Sequence, residues 1–169
     1  MSTQTPASAN LFQRPVKTVM NKHVVAVHPQ DSIHEALALM VENRVSALPV
    51  VDSHGRCGGI ISTSDIIDLT YELDEELAGL GRAEEGARQW IIEKLADGLD
   101  DRQVTDLMTS EVSSVCPECS LVEAASIMRR HHVHRLPVID KRGHLVGILS
   151  TLDVLDALIE AAPAAALES

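Results

Sequence analysis

Aromatic side chains are almost missing from this 169-residue chain, where Phe12, Tyr71 and Trp90 make up the whole set. Its core must be built from Val, Ile, Leu, Met and Ala, and unpaired bases would find few rings to stack on. Positive charge is scarce as well, with 14 Lys and Arg against 25 Asp and Glu and a formal net charge of −11. Such a chain repels phosphate backbones, so nucleic acid is not an expected partner. No apolar run approaches the roughly 18 residues of a membrane span, and the opening MSTQTPASAN lacks the basic and apolar regions of a secretory signal. A soluble cytoplasmic protein with no membrane partner is expected. Cys57, Cys116 and Cys119 form an odd set that cannot complete a disulfide framework, which fits a reducing compartment. Neither a Gly-rich P-loop nor a Ser-His-Asp arrangement is visible, so the chain does not read as an enzyme.

What is present is apolar and duplicated. At 45% hydrophobic and 23% charged residues the chain can bury a real core. Sliding it against itself by 88 residues aligns Val16 through Leu69 with Val104 through Ala157, without a gap and with 21 identities over 54 positions. Among the identities are Met20 with Met108, Pro29 with Pro117, Glu35 with Glu123, Pro49 with Pro137, Gly59 with Gly147 and Asp65 with Asp153. A fixed period of this kind marks two copies of one supersecondary unit. They are flanked by a flexible N-terminal segment (1–15) and a C-terminal tail (158–169), and separated by an insert (70–103).

Each copy, 16–69 and 104–157, has the same grammar. Val24 to Val27 read as a short strand stopped by Pro29, and Val112 to Val115 as its counterpart before Pro117. Ser32 with Glu35, and Ser120 with Glu123, have the spacing of a capping box at the start of an amphipathic helix. Two β runs follow, ALPVVD and GGIIS in the first copy, RLPVID and LVGILS in the second, joined by turns that contain Gly55 and Gly143. Thr63 and Thr151 then open a second helix. The expectation is an α+β fold in which each copy is β-α-β-β-α. A unit of this size is marginal alone, so the two should pack as a pseudo-two-fold pair.

The end of each copy carries chemistry. GIISTSD from Gly59 to Asp65 and GILSTLD from Gly147 to Asp153 place a hydroxyl and a carboxylate three residues apart at a strand-to-helix turn. That pair can hold two adjacent alcohols such as those of a ribose, because a carboxylate accepts strongly and is favoured at a helix N-terminus. Amide N–H groups at the same helix start favour phosphate. An alternative reading leaves the aspartates with nothing to do but cap their helices. His134 and Arg135 in HHVHRLPVID form a second constellation, a guanidinium and an imidazole suited to phosphate.

These linked features resemble the CBS domain, a family that occurs as a tandem pair called a Bateman module. The resemblance covers both copies and rests on the strand before proline, the LPVVD or LPVID strand and the closing GIISTSD or GILSTLD. It implies binding of an adenosine-containing ligand, AMP, ADP, ATP or another adenosyl compound, in the cleft between the copies as a regulatory signal. It puts ribose on Asp65 and Asp153, with Ser62, Ser64 and Ser150 beside them. The remaining nucleotide-binding positions it implies are Val24, Val25, Val45 and Pro49 in the first copy, and Val112, Ser113, Val133 and Pro137 in the second. By the same resemblance, His134 and Arg135 hold the phosphate of the ligand whose ribose sits on Asp65. The matching positions Ser46 and Ala47 carry no charge, so the two sites should be unequal. Homodimers through apolar helices are a further implication.

Other features are weaker. His131, His132 and His134 crowd together without a carboxylate or cysteine at ligand spacing, so no metal is expected. Cys116-Pro-Glu-Cys119 aligns with His28-Pro-Gln-Asp31, a plain turn, and lacks the second pair of a zinc site. Tyr71 to Asp101 carries ten acidic and three basic residues, with apolar positions at helical spacing. A ligand-independent scaffold acting through this insert is therefore the rival to a ligand-binding regulator, and any regulated protein partner is unknown.

Overall fold

The computed structural model describes residues 11–68 and 102–162. The acidic insert lies outside the described residues apart from Arg102 and Gln103, as do residues 1–10 and 163–169. In chain order the elements are α1 (Ile33–Asn43), β1 (Ala47–Val51), β2 (Cys57–Ser62), α2 (residues 63–68), α3 (Val104–Leu107), α4 (Leu121–His131), β3 (Arg135–Ile139), β4 (Leu145–Ser150) and α5 (Thr151–Ala161). A 3-10 turn at Val16–Thr18 precedes them.

Both long helices start as their sequences dictate. Ser32 accepts from the Glu35 N–H while the Glu35 carboxylate accepts from the Ser32 N–H, and Ser120 and Glu123 repeat the same box. The Ser32 and Ser120 backbone N–H groups hold these two glutamates below the ordinary value of 4.5. Both helices end on a left-handed residue, Arg44 and His132, where glycine is commoner. The strand pairs β1–β2 and β3–β4 are hairpins, the second with Leu136 opposite Leu149 and Arg135 opposite Ser150. The aspartate that ends each LPV strand closes the turn. Asp52 accepts from the His54 N–H, and Asp140 accepts from the Arg142 and His144 N–H groups. The His144 amide holds the Asp140 carboxyl below its ordinary 3.8.

The expected first strand of each copy is reduced to a single residue. Val27 makes one parallel bridge to Val50, and Val115 one to Val138. Val27 donates to the Pro49 carbonyl and accepts from Val51. One step further along the ladder the donor would have to be the N–H of residue 49, and proline has none. Pro137 stops the second copy in the same way.

The described residues form two compact units. One comprises 25–54, 58–68 and 102–112, the other 11–24, 55–57 and 113–162. The opening residues of each copy thus group with the sheet of the other copy. In the unit holding β3 and β4, Asn21 exchanges two 2.9 Å backbone hydrogen bonds with Ile148, and Val16 is buried with Val115, Leu121, Leu136 and Leu149. In the other unit Thr109 pairs with Ile60, and Val104 is buried with Val27, Ile33, Leu48 and Ile61. Each core is wholly aliphatic.

These docked segments require glycine beside them. A Cβ on Gly147 would lie 3.0 Å from the Asn21 carbonyl oxygen and 2.5 Å from Met20 Sδ, and one on Gly59 would lie 3.1 Å from the Thr109 oxygen and 2.7 Å from Met108 Sδ. Gly147→Ala and Gly59→Ala should each cost about 1–3 kcal/mol in urea unfolding, the usual penalty for overpacking. Unchanged unfolding midpoints would contradict the docking.

The helix caps set an acid response. A carboxyl whose folded value lies below its unfolded one stabilises fully above the unfolded value, and that contribution is lost as pH falls through the folded one. Glu35→Gln combined with Glu123→Gln keeps an acceptor but removes the ionisation. The loss of stability between about pH 5 and pH 3 should be shallower in the double variant. An identical acid profile would count against the ionised caps.

Candidate ligand-binding site

Each unit contains one strand-to-helix junction built from the closing motif. At the end of β2 the Ser62 N–H and hydroxyl both donate to Asp65 Oδ2, at 2.6 and 2.7 Å, and the Asp65 N–H donates back to Ser62 Oγ at 3.4 Å. At the end of β4 the Ser150 N–H and hydroxyl donate to Asp153 Oδ2, both at 2.6 Å, and the Asp153 N–H returns to Ser150 Oγ at 3.2 Å. Both aspartates therefore cap their helices, through one oxygen only. Oδ1 of Asp65 and of Asp153 accepts no hydrogen bond among the described residues. Ser and Asp in both junctions are partly exposed. The result is a fixed carboxylate with one accepting oxygen to offer, an arrangement suited to a hydroxyl donor.

The helix starts offer fewer amides than expected. The Thr63 N–H donates to the Ser46 carbonyl and the Thr151 N–H to the His134 carbonyl, each at 2.9 Å. With the Asp65 and Asp153 amides turned to serine, Ser64 and Leu152 are the first-turn amides that remain. These threonines are identical between the copies, the one sequence signal that marks them. Thr151 Oγ1 also donates to the His134 carbonyl at 3.2 Å, so the threonine ties the helix start to the strand that carries the basic pair.

The other expected positions divide between the units. With β3 and β4 lie Val24, Ser113, Val133, His134, Arg135, Pro137, Ser150 and Asp153; with β1 and the rest of β2 lie Val25, Val45, Pro49, Ser62, Ser64, Asp65 and Val112. Within the first group Arg135 sits across the hairpin from Ser150, and His134 is exposed. Val45 and Val133 donate to the Met40 and Met128 carbonyls and pack on their cores. Pro49 and Pro137 are buried, and their carbonyls already accept from Val27 and Val115, so neither presents a free polar group. Ser64 is exposed, while Val24, Val25, Val112 and Ser113 are half-buried. Among the described residues no three His, Cys, Asp or Glu side chains converge as a metal site. Cys116 and Cys119 are joined in a disulfide, a bond the odd cysteine count did not suggest.

Because cap and carboxylate are one unit, Ser150→Ala should cost about 1 kcal/mol in denaturant unfolding, leaving Asp153 Oδ2 held by the residue-150 N–H alone. Asp153→Asn, which keeps an acceptor, should cost less. Equal stability of Ser150→Ala and the parent would remove the serine from the junction.

Residues 16–72 and 104–160 each match the CBS domain. An uncharacterized protein of Methanocaldococcus jannaschii is 31% identical over 153 residues, covering 85% of this chain and 90% of its own length. The chloroplastic CBS domain-containing protein CBSX1 of Arabidopsis thaliana is 33% identical over 143 residues, which span 79% of this chain and 58% of that protein. The solved structure of CBSX2 in complex with AMP superposes with a TM-score of 0.67 at 28% identity, over 86% of this chain and 96% of that one. No helix among the described residues is long and apolar enough to cross a membrane. With both copies matched over most of the chain, the protein belongs to the CBS domain family and carries the domain twice.

Proposed function

We propose that this chain is a regulatory module that binds an adenine nucleotide and signals its occupancy through a change in conformation. The observation that carries the reading is the pair of Ser–Asp junctions. Each holds a carboxylate rigidly by one oxygen and leaves the other to accept from a hydroxyl, and the ribose of a nucleoside supplies two adjacent ones. AMP bound to CBSX2, a protein 28% identical, supports an adenosine-containing ligand here. Binding rather than turnover is the proposed activity, in a cytoplasmic setting.

The phosphate is assigned to His134 and Arg135, the only basic pair at these matched positions of the two copies. Following the family resemblance, Arg135 serves the ligand of Asp65. Association into homodimers is part of the reading, supported by an exposed stripe on α5 where Leu152, Leu155 and Ile159 are 70%, 47% and 53% accessible.

Calorimetry with AMP tests this. Asp65→Asn and Asp153→Asn, which keep a capping acceptor, should each remove one binding event. Arg135→Ala should weaken the Asp65 event about tenfold to a hundredfold, since a charge-assisted contact contributes on the order of 1.5–3 kcal/mol. Adenosine, which has no phosphate, should bind the parent and Arg135→Ala alike. Absence of any heat with AMP, ADP, ATP and adenosine would overturn the nucleotide reading. Loss of the Asp153 event with Arg135→Ala would reassign the phosphate contact.

A further inference from the structure

The two copies close the same turn by different chemistry. In the first, the turn His28–Asp31 is held by the Asp31 N–H donating to the His28 carbonyl at 3.1 Å, and by Asp31 Oδ2 accepting from the His28 N–H at 2.7 Å. In the second, the Cys119 N–H donates to the Cys116 carbonyl at the same 3.1 Å, and the disulfide between Cys116 and Cys119 takes the place of the carboxylate. Each turn is also a dock. Within its own unit the first receives the Val104 N–H on the Asp31 carbonyl and the Thr105 N–H on the Pro29 carbonyl, both at 2.9 Å. Within the other unit the second receives the Val16 N–H on the Cys119 carbonyl and the Lys17 N–H on the Pro117 carbonyl, also at 2.9 Å. The Leu121 N–H then donates to the Arg14 carbonyl at 3.0 Å, continuing the seam into the first turn of α4.

From this internal comparison we infer that Cys116 and Cys119 are a reversible redox site whose oxidised form latches residues 14–17 onto the second copy. A dithiol reductant supplies the reverse step. One of its thiolates attacks a cysteine sulfur, breaking the S–S bond and releasing the other cysteine as a thiolate, and its second thiolate then attacks the reductant's sulfur in the resulting mixed disulfide and displaces the remaining protein thiolate. The protein disulfide gains two electrons and two protons, and the dithiol leaves as a disulfide. Both cysteines are partly exposed, and Cys119 also packs against the aliphatic core of its unit. Reduction removes the closure and no carboxylate stands in for it, since position 119 is cysteine where the first copy has Asp31. The turn then keeps only its backbone bond. Of the segment's side-chain anchors, the 3.9 Å Lys17–Glu118 pair is exposed and contributes little, while Arg14–Glu160 at 2.9 Å tethers the segment but does not seat Val16. Val16 is fully buried, so loosening the dock opens the core of that unit. This inference does not depend on which ligand binds the aspartates.

Thiol counting and amide exchange on the full chain test it. In the protein prepared without reductant, alkylation under denaturing conditions should label Cys57 alone, and all three cysteines after treatment with dithiothreitol. Labelling of all three without dithiothreitol would overturn the proposal. On reduction the Val16 and Lys17 amides should exchange on the order of tenfold faster, the constraint a short covalent loop supplies. Val104 and Thr105, docked on the cysteine-free turn, should be unchanged. Equal effects on both pairs of amides, or none on Val16, would overturn the latch. Cys116→His combined with Cys119→Asp copies the first turn. It should protect Val16 with and without dithiothreitol, and a response to dithiothreitol that persists in this variant would place the redox effect elsewhere.

Discussion

The hydrogen bonds from Ser62 and Ser150 to Asp65 and Asp153 are the constraint on which each unit turns. At that point a strand ends and a helix begins, and both must leave backbone groups unpaired. The serine N–H is the last donor of the strand, the aspartate N–H one of the first of the helix, and two side chains three residues apart satisfy both. The geometry has a chemical by-product. Fixing Oδ2 also fixes Oδ1, so the carboxylate is oriented before any ligand arrives and little side-chain entropy remains to be lost on binding. Stability and the proposed recognition thus draw on one group, and the capping reading and the ribose reading of these aspartates are compatible.

Much of this was legible in the residues. The 88-residue period is written in the sequence itself, and the capping boxes at Ser32 and Ser120, the hairpin turns at Gly55 and Gly143 and the strand-to-helix position of the aspartates depend on contacts only a few residues apart. Long-range pairing was the part that escaped. Val16 and Val104 look like the first core residues of their own copies, yet each is buried with the other copy's sheet. Periodicity cannot show this, because a repeat aligned with itself is blind to which copy a segment joins. The strands expected at Val24–Val27 and Val112–Val115 shrink to single bridges for a different reason. Their own residues favour a strand, but the donor that would extend the ladder is missing from the neighbour, at Pro49 and Pro137. The prolines of the LPV pattern, as ladder partners that lack a donor, limit each of these segments to a single bridge.

The copies agree in their cores and in the Ser–Asp junctions, and diverge at one turn and at the start of one strand. Met40 matches Met128, Leu48 matches Leu136 and Val50 matches Val138, all buried at equivalent places in their units. His28 and Asp31 against Cys116 and Cys119, and Ser46 and Ala47 against His134 and Arg135, are substitutions at turns and strand starts, none of them fully buried. The Cys116–Cys119 disulfide belongs to this second class. Its cysteines were set aside because their positions align with an ordinary turn, and the turn is indeed ordinary. What changes is the bond that closes it.

A carboxylate oriented in advance explains binding but not regulation. A ligand shifts a conformational equilibrium only by its difference in affinity between two states, and a site rigid in both shifts nothing. The Ser–Asp junctions are the rigid part, since they are tied to the strand ends. The part able to differ between states is whatever the aliphatic cores hold less firmly, and the docked segments are the candidates. Each reaches its core through one buried valine, a 3-10 turn or a four-residue helix, and a few backbone hydrogen bonds. Nearby in the chain, each leads directly into the half-buried residues Val24 and Val25, or Val112 and Ser113, to which the family resemblance assigns ligand contacts. In the proposed reading a signal from the nucleotide passes through these segments, and only one of the two docks on a turn closed by a bond that reduction can open.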